Sequence, residues 1–242
     1  MAPLGTGSTA KRELREVIST VAEYEPVRLL VPPDLTAEAR YQNFSSNIEI
    51  VPAPVDDIWI RDILPTFGLQ DGAPVAIDWN FNGWGSPPLR PARPGDRLAG
   101  LIASSLGIPP ESASFIAEAG SMVTDGDGTV ITTKSCLLNP NRNPAFGRTD
   151  DQRIDTIKQS LLHFGVRKII WLEGDASEPI TSGHADGYVL FTGPGKLLVE
   201  GIDPNGAKSN RCREADIDLL ETSLDAQNRP LAVKIVLPPR QG

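Results

Sequence analysis

The chain has 242 residues, 40% of them apolar and 22% charged, and a net charge of −8. This is enough chain for one sizeable core, and the acid excess argues against a nucleic-acid binder while suiting a small cationic ligand. Cys136 and Cys212 form no paired motif, no apolar run approaches membrane-span length and residues 1–10 lack a signal peptide's apolar centre, so a soluble, cytoplasmic, disulfide-free protein is expected.

Residues 1–10 are small and polar and read as a flexible N-terminus, leaving 11–242 as a single α/β domain. Leu14, Val17, Ile18 and Val21 fall at helical spacing, predicting a helix over 11–23. Strands over 27–31 and 48–51 flank a short helix over 36–43, and the polar-aromatic segment D-D-I-W-I-R-D follows at 56–62. A cycle begins there: strands over 64–69 and 75–78, the loop F-N-G-W-G at 81–85, a helix over 96–106 and a strand over 113–117 that delivers Glu118. The second cycle has a hairpin over 118–124 and 129–133, turning at D-G-D-G, then the loop N-P-N-R-N-P at 139–144. Its helix over 150–164 is capped by Thr149 and stopped by Gly165, and its strand over 166–172 leads to I-T-S-G-H-A-D-G-Y-V at 180–189. The third has a hairpin over 188–192 and 196–200, a helix over 211–224 and a strand over 232–237. The pattern then calls for another site residue, but Pro238 to Gly242 follow.

Polar residues thus recur at intervals of roughly 60 residues, which points to a repeat architecture. Stacked about an axis, the repeats would bring Asp62, Glu118, His184 and Asp186 into one pocket. Such a pocket can pair a general base with cation-binding acids. Each residue also has a plainer reading. His184 and Asp186 could be a turn pair, Arg61 and Asp62 a surface ion pair, Glu118 a strand-end acid, and Trp59 and Trp84 core residues. Asn139, Asn141 and Asn143 read as turn formers, and His163 as a helix-end or surface residue.

Five stretches in register resemble the agmatine deiminase family, which includes the bacterial peptidyl-arginine deiminases. They are D-D-I-W-I-R-D, F-N-G-W-G, E-A-G-S at 118–121, T-T-K-S-C-L-L-N-P-N-R-N-P at 132–144, and G-H-A-D at 183–186. The resemblance implies a fan-like α/β propeller of ββαβ units, the pentein type, with about three of its five units in this chain. It also implies hydrolysis of a guanidinium to a ureido group with release of ammonia, through a cysteine-bound thiouronium. On that reading Asp62 and Asp186 clamp the guanidinium with charge-assisted hydrogen bonds. His184 serves as proton donor and water activator, Glu118 sits against His184 or the substrate and favours the imidazolium form, and Trp59 and Trp84 wall the cation. No cofactor or metal is implied.

The family's nucleophilic cysteine lies in a Gly-rich segment near its C-terminus that has no counterpart here, and neither Cys136 nor Cys212 matches it. The family's Trp- and His-rich N-terminal segment is also lacking. Ala119 and Ser182 stand where the family prefers glycine and an acid. The expectation is an incomplete agmatine deiminase, acting in putrescine and polyamine biosynthesis when whole and without turnover by itself, with exposed edges that favour self-association. The alternatives are a catalytically silent guanidine- or polyamine-binding module and a peptidyl-arginine deiminase.

Overall fold

The computed structural model describes residues 8–85, 93–143, 149–202 and 209–237. Of the flexible start expected over 1–10, residues 1–7 lie outside that description, as do Pro144 of the Asn-rich loop, the tail from Pro238 and the side chain of Cys212, whereas residues 8–10 begin a helix. Two compact bodies are present, one formed by residues 1–60 with 93–98 and the other by 61–92 with 99–242.

In the first body, α1 (Ser8–Val21) and α2 (Thr36–Tyr41) accompany a parallel pair, β1 (Val27–Val31) and β2 (Ile48–Pro52). Lys11 pairs with Glu38, and Arg15 donates to the Gln42 carbonyl at 2.6 Å, fastening α1 to α2.

The second body opens within the helical turn α3 (Ile60–Ile63) and then repeats one plan three times. Strands β3 (Thr66–Gln70) and β4 (Ala73–Asp78) form a hairpin, α4 (Leu98–Ser105) crosses over, and β5 (Pro110–Ser112) pairs in parallel with β4. Next, β6 (Met122–Thr124) and β7 (Thr129–Thr133) are followed by the short α5 (Lys134–Leu137), the crossover α6 (Asp150–His163) and β8 (Lys168–Leu172). Finally, β9 (Val189–Gly193) and β10 (Lys196–Glu200) are joined by α7 (Ser209–Thr222) to β11 (Ala232–Val236). The three resulting sheets are each three-stranded and mixed, because a parallel third strand needs a crossover long enough for a helix. The capping box of Thr149 and Gln152 starts α6 where the sequence places it, and Gly165, at φ 83°, follows its end.

One expected strand takes another form. Residues 113–117 lie beyond β5, and only Ala113 and Ala117 donate backbone bonds, to Asp78 and Trp79. Several of the remaining groups are met by side chains. Asn80 donates to the Ala113 and Phe115 carbonyls, and Asn143 both accepts from Ile116 N–H and donates to its carbonyl. Asparagine amides therefore complete the path to Glu118 where no strand is available.

The middle sheet is buried on both faces. Val130 joins Ile77, Phe115, Leu137, Ile157 and Leu161 on one side. Ile131 joins Leu172, Val189, Leu197, Val199 and Leu220 on the other. No helix among the described residues is long and apolar enough to cross a membrane.

Ile131 is fully buried, whereas Leu190 is 56% exposed. Ile131→Ala is expected to cost about 2–5 kcal/mol in urea unfolding, and Leu190→Ala within about 0.5 kcal/mol.

Candidate functional site

His184 is presented by a loop whose backbone is tightly specified. Ser182 and Gly183 have φ of 60° and 89°. A Cβ on Gly183 would lie 2.7 Å from the Asp175 backbone nitrogen, so this position accepts only glycine. Thr133 Oγ1 donates to the Gly183 carbonyl at 2.6 Å, and Thr181 Oγ1 accepts the His184 N–H at 3.1 Å. The turn after His184 carries Asp186, α3 carries Asp62, and the asparagine-held stretch ends at Glu118.

The structure brings these four side chains together. His184 Nε2 lies 3.1 Å from Glu118 Oε2. Its Nδ1 lies 3.9 Å from both Asp62 Oδ1 and Asp186 Oδ1. Glu118 is fully buried, His184 and Asp62 nearly so, while the Asp186 side chain retains 29% exposure. Gly120 forms part of the wall. A Cβ there would fall 2.6 Å from Asp62 Oδ1, 2.7 Å from His184 Nδ1 and 2.8 Å from Asp186 Oδ2.

Trp84 belongs to the cluster, with a more specific contact than a stacking wall. Its indole N–H donates to Asp62 Oδ2 at 2.8 Å, and its ring meets Phe81 edge-on at 4.9 Å. It holds this pose at φ 58°, between Gly83 and Gly85, which also have positive φ. Trp59 lies in the first body and is half exposed there.

Sequence reasoning missed Arg142, which is fully buried. Its Nε–H is shared between Glu118 Oε1 and Oε2 at 3.1 and 3.0 Å, and its Nη2 donates to the Thr181 carbonyl at 2.8 Å. The only available signal was a charged residue within an Asn-rich turn. Asn139 and Asn141 do form that turn, with Asn139 Oδ1 accepting the Asn141 N–H. Asn143 instead is a buried clamp on residue 116. His163 is exposed and paired with Glu111.

Charges in the site are apportioned acid by acid. Glu118 has Arg142, and Asp186 Oδ2 accepts the Nε–H of Arg61 at 2.9 Å. Among the described residues Asp62 has no arginine or lysine partner; it accepts from Gly120 N–H at 3.0 Å and from Trp84. Burial is the main cause that raises the Asp62 pKa above its ordinary value. The Glu118 charge adds to it, while His184, Trp84 and the Gly120 N–H oppose it. Among the described residues the cluster therefore holds three acids against two arginines, with His184 between the acids.

Atoms of Glu118, Cys136 and His184 able to bind a metal lie within 4.8 Å of one another. Arg142 already supplies the positive charge on Glu118, so this cluster reads as an ion pair with a thiol packed beside it. Cys136 is fully buried. Burial and the Glu118 charge push its thiol well above the ordinary range, which disfavours the nucleophilic thiolate.

Residues 5–242 match the sequence model of the Porphyromonas-type peptidyl-arginine deiminases. An agmatine deiminase of Pseudomonas putida is 34% identical over 236 residues, covering 94% of this chain and 62% of that protein. One from Pseudomonas aeruginosa is 33% identical over 232 residues, with the same two coverages of 94% and 62%. The solved agmatine deiminase of Enterococcus faecalis, 26% identical, superposes with a TM-score of 0.86 over 97% of this chain and 64% of its own. This chain thus spans less than two thirds of the length of these relatives.

The burial of Cys136 has a direct chemical consequence. Iodoacetamide is expected to leave it unmodified in the folded protein and to label it fully after denaturation, as read by peptide mass spectrometry.

Proposed function

The chain belongs to the Porphyromonas-type peptidyl-arginine deiminase family, and from that premise we propose that it carries the guanidinium-binding and proton-handling part of an agmatine deiminase active site. The overall reaction adds water to the guanidinium carbon and releases ammonia, leaving a ureido group; with agmatine the product is N-carbamoylputrescine. Agmatine is the substrate favoured here because the relatives above 30% identity bear that name. Peptidyl-arginine presents the same head group.

One observation carries the reading. Asp62 is a buried carboxylate without an arginine or lysine partner among the described residues, facing a histidine and a second carboxylate. A guanidinium is planar and permanently charged, so it supplies the missing charge and places N–H groups against both Asp62 and Asp186. His184 then stands beside the departing nitrogen, with Glu118 behind it. The indole N–H of Trp84 orients Asp62. The covalent step needs a thiolate over the guanidinium carbon, which buried Cys136 does not provide.

Residues 1–242 alone are therefore expected to bind agmatine in calorimetry while releasing ammonia no faster than the uncatalysed rate. Absence of binding would overturn the guanidinium reading, and enzymatic turnover would overturn the assignment of roles. Asp62→Asn should weaken binding about 10- to 100-fold, the value of a charge-assisted hydrogen bond. Gly120→Ala, in protein that still folds, should weaken binding at least about 10-fold, because the added methyl must displace side-chain atoms of Asp62, His184 and Asp186.

Acidity supplies another check with a definite sign. Asp62 holds a cation only when ionised, and its pKa in the free protein is raised above 3.8. Affinity should therefore rise with pH through that raised value and then level off, with a proton released on binding in the window between. Calorimetry in buffers of different ionisation enthalpy reads that proton directly. Folding stability has the opposite sign. The contribution of Asp62 is fully present below the unfolded-state value and is lost as pH rises through the raised one.

A further inference from the structure

A neutral imidazole carries one proton, and His184 has acids at both of its nitrogens. Glu118 lies 3.1 Å behind Nε2, whereas Asp62 and Asp186 lie 3.9 Å in front of Nδ1. We propose that Arg142 is the positioning residue that decides between them, by committing Glu118 as a carboxylate acceptor so that the ring proton stays on Nε2 and Nδ1 becomes the edge presented to the ligand.

The geometry supports this in two ways. Arg142 reaches both oxygens of Glu118 with one N–H, and neither side chain is exposed, so water does not compete for the carboxylate. An ionised carboxylate only accepts, and a histidine lying against one donates to it, which fixes the tautomer. The same guanidinium also grips the Thr181 carbonyl, and the Thr181 hydroxyl accepts the backbone N–H of His184. Arg142 thus sets both the partner of the ring and the loop that carries it. The remaining Nη1 donates to the Cys136 carbonyl at 3.4 Å, anchoring the arginine to α5. In the proposed reaction, which this inference deepens and on which it rests for the identity of the ligand, Nδ1 would first accept the proton given up by the attacking thiol and then pass it to the departing nitrogen, while the Nε2 proton stays on the Glu118 side. Arg142 itself stays behind the ring and does not touch the substrate.

The chain has only two histidines, so long-range proton–nitrogen NMR of the neutral imidazoles resolves the question, with exposed His163 as an internal reference. The wild type is expected to show His184 as the Nε2–H tautomer; a dominant Nδ1–H form would overturn the proposal. Glu118→Gln/Arg142→Met exchanges the buried pair for uncharged groups, a replacement that protein cores tolerate. It should shift His184 to a tautomer mixture with His163 unchanged, and weaken agmatine binding at least about 10-fold. An unchanged Nε2–H population in that variant would assign Arg142 a purely structural role and overturn the proposal. If that variant does not fold, Glu118→Met/Arg142→Met removes the acceptor altogether and gives the same readout. Arg142→Lys, which keeps a charge beside Glu118, should preserve Nε2–H, and its loss in a folded protein would count against the proposal. The tautomer result needs no ligand. Failure of wild-type protein to bind agmatine would therefore overturn the deiminase reading alone.

Discussion

Taking a carboxylate and a guanidinium out of water costs several kcal/mol per ion, recovered only when geometry and further hydrogen bonds are good. Glu118 and Arg142 are both fully buried and meet that condition. Every nitrogen of the guanidinium is used: one on the carboxylate, one on the carbonyl of Cys136 and one on that of Thr181. Three chain segments far apart in sequence are thereby fixed to one another, namely the stretch ending at Glu118, the turn after α5 and the loop before His184. Removing one partner alone would leave an uncompensated buried charge, a loss of about 3–5 kcal/mol. The placement of His184 and Glu118 therefore depends on this pair.

The three acids consequently do different work although they share one chemistry. Glu118 is neutralised from behind and serves His184. Asp186 is held at the rim by Arg61, with its other oxygen turned inward. Asp62 has no arginine or lysine partner among the described residues, so burial acts against its ionised form. On the proposed reading a cation would relieve that penalty, and its binding energy would be concentrated at Asp62 rather than spread evenly over three carboxylates.

Much of this was legible in the sequence. The alternation of apolar residues and the crossover helices predicted three hairpin–helix–strand repeats, and their equivalent ends located Asp62, Glu118, His184 and Asp186. The resemblance supplied a substrate class for them. What stayed hidden depended on contacts between segments. Arg142 sits in a turn whose asparagines explain themselves locally, and its partner lies 24 residues away. Gly120 has no side chain to read, and its importance lies in the space it leaves. Residues 113–117 looked like a strand because strand and asparagine-held extended chain share the same apolar pattern. Trp84 looked like an aromatic wall, since only its backbone angle directs the indole nitrogen to Asp62.

That backbone angle has a consequence for anyone seeking a hardier protein. A bulky residue at φ 58° stores about 1–3 kcal/mol of strain. Trp84→Gly would relieve that strain, but it would also remove the edge-on contact with Phe81 and the N–H that orients Asp62. Loss of a packed indole costs about 3–5 kcal/mol, so at this position the strained backbone and the packed ring are kept together.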